Sequence, residues 1–365
     1  MDSMDLAHWR MHNLRLSGTR PSAADDVVRW LGAVQSQEYG PAKWAVGQRT
    51  DGTSDAAMDQ AFADGTILRT HVLRPTWHFV TPADIGWLLE LTAPRVHALN
   101  AYYYRQNGLD DTVFRQCHTL LENALRDGTQ LTRTEVQARL GAAGIAADGL
   151  RLGLILMNAE LNGIICSGAL KGRQHTYALL DERVPLAKNL SRDEALAELT
   201  SRYFTSHGPA STKDFQSWAS LTAATVKQGL DIVGSQLTCR VVDEVTYWYA
   251  ASAADPPPRP PAPTVHLVQG YDEYLMGYTQ TKFLLNASGA ASWQPRDRPV
   301  FIHAVLLDSQ LAGHWKRTIT ADTVVVEAAL YAPFDRAQTR ALQAAAAQHG
   351  EFLGRSATVV TTELG

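Results

Sequence analysis

The sequence predicts an α+β fold of three tandem winged-helix motifs followed by a small C-terminal β-barrel with one helix. Two or three helical segments followed by a hairpin-like segment occur three times, which is the order of elements in a winged helix. A proline-rich segment, ADPPPRPPAPT at 254–264, then separates the first two-thirds of the chain from the rest. Several short strand-like segments and one helical segment follow it, which is typical of a small barrel or sandwich.

The first repeat is predicted as two helices and a hairpin. The segment SAADDVVRWLGAVQSQ begins with Ser22 as its N-cap. Its helical periodicity places four aliphatic side chains on one face: Val27, Val28, Leu31 and Val34. A second helix, DAAMDQAFADG, follows it. The segment TILRTHVLRPTWHFVT (66–81) then alternates as two strands about a turn near Leu73–Pro75.

The second and third repeats follow the same order. LTRTEVQARLGAAGI contains Thr132 and Glu135 as a capping box, and the helix LRLGLILMNAELNG follows it. IICSGALKGRQHTYALL is hairpin-like, with its turn at Lys171–Gly172. In the third repeat DEALAELTSRYFTSHG, STKDFQSWASL and TAATVKQGLDIV predict helices, and LTCRVVDEVTYWYA predicts the closing hairpin.

Beyond the linker, three segments are strand-like: TVHLVQGYDEYLMGYTQ, PVFIHAVLLDSQLAGHWKRTI and DTVVVEAALYA. DRAQTRALQAAAAQHG is helical. The predicted bounds are 1–110 for the first winged-helix unit, 111–190 for the second, 191–253 for the third, 254–264 for the linker and 265–365 for the barrel. The plainer alternative is three helix–hairpin packing units that are not winged helices.

Composition indicates an ordinary globular protein. The 365 residues are 45% hydrophobic and 19% charged, and the net charge of −4 neither favours nor excludes a nucleic-acid partner. The N-terminus lacks the apolar core of a signal peptide, and no apolar stretch reaches the length of a membrane helix. Cys117, Cys166 and Cys239 lack metal-ligand spacing, which predicts buried thiols in a reduced, cytoplasmic protein with no membrane association.

The sequence contains none of the common catalytic signatures. Phosphate-binding glycine loops, zinc-ligand spacing and a nucleophile elbow are all missing, so neither a metal nor a cofactor is expected. What remains is a set of polar residues in apolar surroundings: Arg69, His71, Arg74, Thr76 and His78 in one hairpin, Asp272 and Glu273 in GYDEYLMGY, and Lys316 and Arg317 at a predicted turn in GHWKR. Each could also be a solvated or core position, and a lone strand histidine is more often structural.

Two glutamines stand at the end of the first predicted helix. Gln35 and Gln37 precede Pro41, and on a continuing helix their side chains would point about 200° apart. Both can face one cavity only if the helix ends or unwinds there. Taken in isolation, the pair fits capping and surface amides.

At these residues the chain resembles a known family. AVQSQEYGPAKWAVGQR (33–49) followed by RPTWHFVTPADI (74–85) resembles the AlkZ-like DNA glycosylases of the winged-helix DNA-binding superfamily. Three further stretches match the family pattern in the same order: GPASTKDFQSWASLT (208–222), YDEYLMGY (271–278) and AVLLDSQLAGHWKR (304–317). The resemblance implies three winged helices and a β-barrel that form a C-shaped DNA-binding surface. It also implies that Arg69, Arg74 and Arg317 contact phosphate. The full set of expected DNA-binding or site-lining residues is Arg69, His71, Arg74, Thr76, His78, Asp272, Lys316 and Arg317.

The resemblance also implies an activity and its residues. Members of the family unhook interstrand crosslinks and excise bulky N7-alkylated guanines. Their glutamine–aliphatic–glutamine motif falls on Gln35 and Gln37, with Ser36 in place of the usual aliphatic residue. A second branch has an acid at the second position, so Gln37 places the chain in the glutamine branch, whose known members serve self-resistance in producers of alkylating natural products.

Neutral amides suit such a substrate. Guanine alkylated at N7 is cationic and leaves readily, so the enzyme need only hold a water and offer partial negative charge near an oxocarbenium-like sugar. Lys43 is the only lysine near the motif, and its distance along the chain takes it elsewhere, which predicts water as the nucleophile of a monofunctional enzyme. The resemblance further implies a monomer that acts on double-stranded DNA. The alternatives are a non-catalytic winged-helix DNA-binding regulator and a drug-sequestering protein.

Overall fold

A computed structural model describes residues 2–184, 190–253, 255–291 and 303–364. Of the described residues, 49% are helical and 20% lie in strands, which confirms the predicted α+β class. It divides into two compact units. One consists of Met1–Met58, Ala197–Trp218 and Thr222–Gly365, and the other of Asp59–Leu196 and Ala219–Leu221.

Along the described residues most helices come in groups of two or more, with strands between the groups. The helices are α1 (Ser3–Asn13), α2 (Ala24–Leu31), α3 (Tyr39–Gly47), α4 (Asp55–Asp64), α5 (Pro82–Gln106), α6 (Asp111–Leu125), α7 (Arg133–Ala142), α8 (Gly149–Leu161), α9 (Leu180–Arg183), α10 (Arg192–Ser206), α11 (Thr212–Trp218), α12 (Ala223–Val233), α13 (Glu273–Met276) and α14 (Arg336–Leu353). The strands are β1 (Val34–Gln35), β2 (Leu68–His71), β3 (Trp77–Val80), β4 (Leu131–Thr132), β5 (Ile165–Ser167), β6 (Thr176–Leu179), β7 (Leu237–Val242), β8 (Val245–Ala250), β9 (Val265–Val268), β10 (Ala304–Leu307), β11 (Gln310–Ile319), β12 (Thr323–Leu330) and β13 (Ser356–Glu363). Apart from β13, which no sequence pattern indicated, each strand falls in or next to a predicted strand or helix end.

The predicted helix–hairpin order is present three times. Strands β2 and β3, β5 and β6, and β7 and β8 each form an antiparallel pair that follows helices. The capping box at the start of α7 is confirmed, because Thr132 and Glu135 exchange side-chain and backbone hydrogen bonds. The winged-helix identity of these repeats and the predicted domain bounds stay predictions.

The first helix of the first repeat is shorter than predicted. Helix α2 begins after Ala23 with no side-chain cap, so the prediction of Ser22 as N-cap is wrong. It ends at Leu31 because Gly32 has a φ of +80°, a conformation that suits glycine and stops helical hydrogen bonding. Val34 therefore lies in extended backbone and not on the helical face, although it is buried as predicted.

The C-terminal sheet has five strands in the order β13-β12-β11-β10-β9. Neighbours are antiparallel except β12 and β13, which are parallel and joined through α14. In the described residues β9 and β13 are not paired with each other, so the predicted closed barrel is not confirmed. The linker prediction holds for 255–264, which contains neither helix nor strand, while Ala254 lies outside the described residues.

Two further predictions in this part need correction. The segment 264–280 is a strand only over Val265–Val268, since Asp272 caps α13 by accepting from the backbone N–H of Tyr274. Lys316 and Arg317 lie within β11 and not at a turn. The turn falls at Asp308, whose φ is +53°, and it lets β10 and β11 pair. The predicted strand segment also includes 299–302, which lie outside the described residues.

Two tryptophans donate hydrogen bonds to strand β9 of the C-terminal sheet, one from α3 and one from β11 of the sheet itself. The indole N–H of Trp44 in α3 donates to the carbonyl of Leu267 at 2.7 Å, and that of Trp315 donates to the carbonyl of Val268 at 2.9 Å. Both indoles are almost fully buried, so α3 is held against β9 by packing as well as by a hydrogen bond. This fixes the helix that follows the glutamine segment.

The other unit has its own hydrophobic core, built mainly from α5, α6 and α8. Cys117 and Cys166 are buried as predicted, whereas Cys239 is exposed, so that prediction is wrong for one of the three thiols. Within the described ranges, none of the helices combines the length and apolar character needed to span a bilayer.

Candidate active site

The two glutamines lie where the backbone changes from helix to extended structure and back to helix. After α2 ends, Gln35 is in β1 and is 2% exposed, while Ser36 is fully buried. Gln37 lies in a bend, is exposed, and makes no hydrogen bond to another described residue. Helix α3 then begins at Tyr39. Because no helix runs through the motif, the separation of about 200° that a helix would impose on the two amides does not apply.

A buried carboxylate anchors the first glutamine. The backbone N–H of Gln35 donates to Oε1 of Glu273 at 3.0 Å. The other oxygen, Oε2, accepts from the indole N–H of Trp218 at 2.8 Å and lies 3.3 Å from Nε2 of His207. Glu273 is 1% exposed, so these donors replace the water that a carboxylate would otherwise need.

The neighbouring carboxylate has a different role. Asp272, predicted as a site residue, is fully buried and accepts two hydrogen bonds from Arg49 at 2.7 and 2.8 Å. It also caps α13, and the Arg49 guanidinium donates onward to the carbonyls of Leu14 and Ala45. The structure therefore places Asp272 in an internal ion pair and brings the adjacent Glu273 to the motif.

Arg317 lies beside the start of α3. A methyl group added at Gly40 would lie 3.8 Å from the Arg317 guanidinium. Gly40 follows Gln37 by three residues in the chain. The guanidinium donates to Nε2 of His349 at 3.0 Å. Burial lowers the pKa of His349 to about 3, with Arg317 as the second cause, so the imidazole is neutral and can accept. Trp44 and Trp315 pack edge-on against this ring.

The remaining basic residues near the motif are ion-paired. Lys43 is 4% exposed and its ammonium lies 2.8 Å from the carboxylate of Asp55. Lys316 is largely exposed and lies 3.0 Å from Glu327. Neither contact leaves a lysine amine directed at Gln35 or Gln37.

The hairpin residues form a separate set in the other unit. Arg69 and His71 share one strand face as predicted, because both rest on the Trp77 ring, at 4.3 and 4.4 Å. His71 pairs with the carboxylate of Glu160, which the indole N–H of Trp77 also contacts at 3.4 Å. Arg69 and His71 are buried, so this face is largely closed to solvent.

His78 is on the opposite face of that hairpin. It is fully buried, its Nδ1 lies 2.9 Å from the carbonyl of Thr76, and its Nε2 lies 3.1 Å from the Arg74 guanidinium. The predicted site residues thus form two clusters: Gln35, Gln37 and Arg317 in one unit, and the hairpin set in the other. Among the described residues, no group of three or more acidic, histidine or cysteine side chains could hold a metal ion.

Glu273 stands out in the sequence beside Asp272, because an acid next to the apolar residues of EYLMGY requires buried partners. His207 and Trp218 do not stand out, because their contacts with Glu273 span 66 and 55 residues of chain.

Comparison with known proteins gives consistent matches over most of the chain. A family model described as DNA glycosylase AlkZ-like matches residues 28–352. An interstrand DNA cross-link repair glycosylase from Streptomyces sahachiroi is 26% identical over 321 residues, covering 84% of this chain and 86% of that protein. The solved structure of S. sahachiroi DNA glycosylase AlkZ matches with a TM-score of 0.79 and 23% identity, covering 99% of this chain and all of that one.

Proposed function

The chain belongs to the AlkZ-like DNA glycosylase family and is a DNA N-glycosylase, and from that premise we propose that it excises guanine alkylated at N7. The proposal includes bulky natural-product adducts and interstrand crosslinks. It names Gln35 and Gln37 as the catalytic residues and water as the nucleophile. The curated relative supports the crosslink part, because its name describes repair of interstrand crosslinks.

One observation carries the proposal. The Gln-x-Gln segment follows the end of a helix, its first glutamine is anchored through the backbone, and its second glutamine is exposed. A catalytic group must be held in place and still reach a ligand. This arrangement satisfies both needs within three residues.

The chemistry needs no titrating side chain. In N7-alkylguanine the bond between C1′ and N9 breaks with its electron pair moving to the cationic base, which leaves as neutral 7-alkylguanine. A water then adds to C1′ of the oxocarbenium-like sugar and loses a proton to solvent, which yields an abasic site. Amide carbonyls of Gln35 and Gln37 can hold that water and stabilise the positive charge on the sugar.

The lysine contacts favour water over an amine nucleophile. A Schiff base would require a deprotonated lysine at the sugar. Lys43, the closest lysine in sequence, is 4% exposed, and its amine lies 2.8 Å from the Asp55 carboxylate, so an ion pair engages it. This contact supports the proposal of a monofunctional glycosylase.

The finer fold and the biological setting complete the proposal. The three helix–hairpin repeats would be winged helices, the C-terminal sheet would belong to a small barrel, and a monomer would bind double-stranded DNA. The exposed Lys316 and the half-buried Arg317 are the proposed phosphate contacts nearest the motif. Self-resistance against an alkylating natural product, or general DNA repair, would be the role of the activity.

Excision from defined duplexes tests the proposal. We expect release of 7-methylguanine and unhooking of an N7-linked crosslink, leaving an abasic site that is cleaved only after added alkali. Duplexes with uracil or 8-oxoguanine, whose bases are neutral, should remain intact. Release of neutral bases at a similar rate, or strand cleavage without alkali, would contradict the proposed mechanism.

A further inference from the structure

Glu273 is the buried carboxylate that accepts the backbone N–H of Gln35. We infer that Glu273 is a positioning residue for catalysis, which holds the backbone of Gln35 in the extended conformation that the reaction requires. The inference rests on the proposed catalytic role of Gln35. Because Glu273 is 1% exposed, we assign it no direct contact with the substrate.

The contacts of Glu273 are divided between its two oxygens. Oε1 accepts from the backbone N–H of Gln35, while Oε2 takes the indole N–H of Trp218 and faces His207. A backbone N–H buried at a strand end needs an acceptor, and a carboxylate makes a stronger one than a neutral carbonyl. Glu273 therefore favours the extended backbone at Gln35 over continuation of α2.

The proton arrangement around His207 makes this acceptor rigid. The hydroxyl of Ser206 donates to the carbonyl of Arg202 at 2.7 Å, so its oxygen must accept from Nδ1 of His207, 2.8 Å away. Nε2 of the same ring faces the carboxylate. Each ring nitrogen thus faces an oxygen, which restricts rotation of the imidazole beside Glu273.

Surrounding aromatic rings fix the imidazole in place. Tyr203 stacks on the His207 ring at a centroid distance of 4.8 Å, and Trp218 lies 5.1 Å away. The hydroxyl of Tyr278 donates to the backbone carbonyl of His207 at 2.7 Å. The acceptor beneath Gln35 is therefore held on several sides, and a rigid second layer is what a preorganised catalytic group requires.

Substitution of Glu273 tests the inference. Glu273→Met keeps a similar volume but provides no strong acceptor, so we expect single-turnover excision about thirtyfold slower with DNA affinity within about twofold of wild type. Glu273→Gln keeps one amide oxygen and should recover about tenfold of that loss. Glu160→Met removes an equally buried carboxylate that pairs with His71 in the other unit, so it serves as the control for loss of a buried acid, with a rate within about threefold of wild type.

A double-mutant cycle separates positioning from general damage. If Glu273 acts through Gln35, Glu273→Met should slow Gln35→Ala by no more than about twofold. A similar loss in both backgrounds, or a wild-type rate in Glu273→Met, would overturn the inference. Should Glu273→Met fail to fold, Glu273→Gln carries the same cycle, with about threefold loss expected only where Gln35 is present. A wild-type rate in Gln35→Ala would instead refute the proposed function.

Discussion

The glutamine segment 33–40 and the hairpin 68–80 both place polar side chains among apolar ones, but they use them in different ways. In the hairpin, Arg69 and His71 are buried against Trp77, and Glu160 pairs with His71. In the glutamine segment it is the backbone of Gln35 that is held. The side chain of Gln37 is exposed, with no hydrogen bond to a described residue.

In these two segments the location of its partners separates a stabilising polar group from a reactive one. A buried polar group whose partners lie within the protein contributes to stability, and removing one partner is costly because the other is left unpaired. A reactive group needs its support in the backbone and its side chain toward the ligand. In the sequence the two segments look alike, because both place polar residues among apolar ones.

The largest expected effect is on the glutamine pair. Gln35→Ala and Gln37→Ala should each slow single-turnover excision by about a hundredfold, because each removes a preorganised group at a charged transition state. DNA affinity should stay near that of wild type. Gln60→Ala, an exposed helical glutamine that bonds Asp64, is the matched control and should not change the rate. Near wild-type rates in both motif variants would remove the distinction between the two segments.

The hairpin should respond in stability. Glu160→Ala leaves His71 buried without its carboxylate, so we expect the free energy of unfolding to fall by about 3 kcal/mol in urea titration. The excision rate of the folded variant should remain within about threefold of wild type. The double variant His71→Phe with Glu160→Ala should lose less free energy of unfolding than the sum of the losses in the two single variants. A large loss of excision rate in a stably folded Glu160→Ala protein would instead assign the hairpin a role in the active site.

The salt dependence of DNA affinity should distinguish Arg317 from the buried Arg69. Arg317→Gln should weaken DNA binding and lower the salt slope by about one unit, since one phosphate contact is lost. Arg69→Gln should leave that slope unchanged, because its guanidinium is buried on Trp77. Affinity measured by anisotropy from low to moderate salt checks both, with the exposed Arg336→Gln as control. Equal slopes for wild type and Arg317→Gln would place the phosphate contacts elsewhere.

The smallest expected effect is that of pH. Neither glutamine titrates, and His349, with a pKa lowered by burial to about 3, stays neutral above pH 6 and keeps its contact with Arg317. The excision rate on one N7-alkylguanine duplex should therefore be flat from about pH 6 to 9. A step near neutral pH that disappears in His78→Ala would assign the chemistry to a histidine of the hairpin instead.

Local patterns in the sequence were sufficient for much of the architecture. The three helix–hairpin repeats, the capping box at Thr132, the linker and helix α14 all depend on neighbours within a few residues, so periodicity and turn residues predict them. The position of the Gln-x-Gln motif and its family resemblance were also readable from the sequence alone. Its secondary structure was not, because a single Gly32 at positive φ outweighs the helical pattern that continues through Val34.

Only the tertiary structure decided which polar residues support the motif. Glu273 lies 238 positions from Gln35 in the chain, and Asp272 beside it pairs with Arg49 instead. Alternation along one segment cannot show which of two adjacent acids meets which distant donor, since that depends on how separate elements pack. The same holds for Arg317, which β12 places within a paired strand and His349 orients. Sequence periodicity reports a residue's neighbours along the chain, whereas the chemistry of this site depends on neighbours in space.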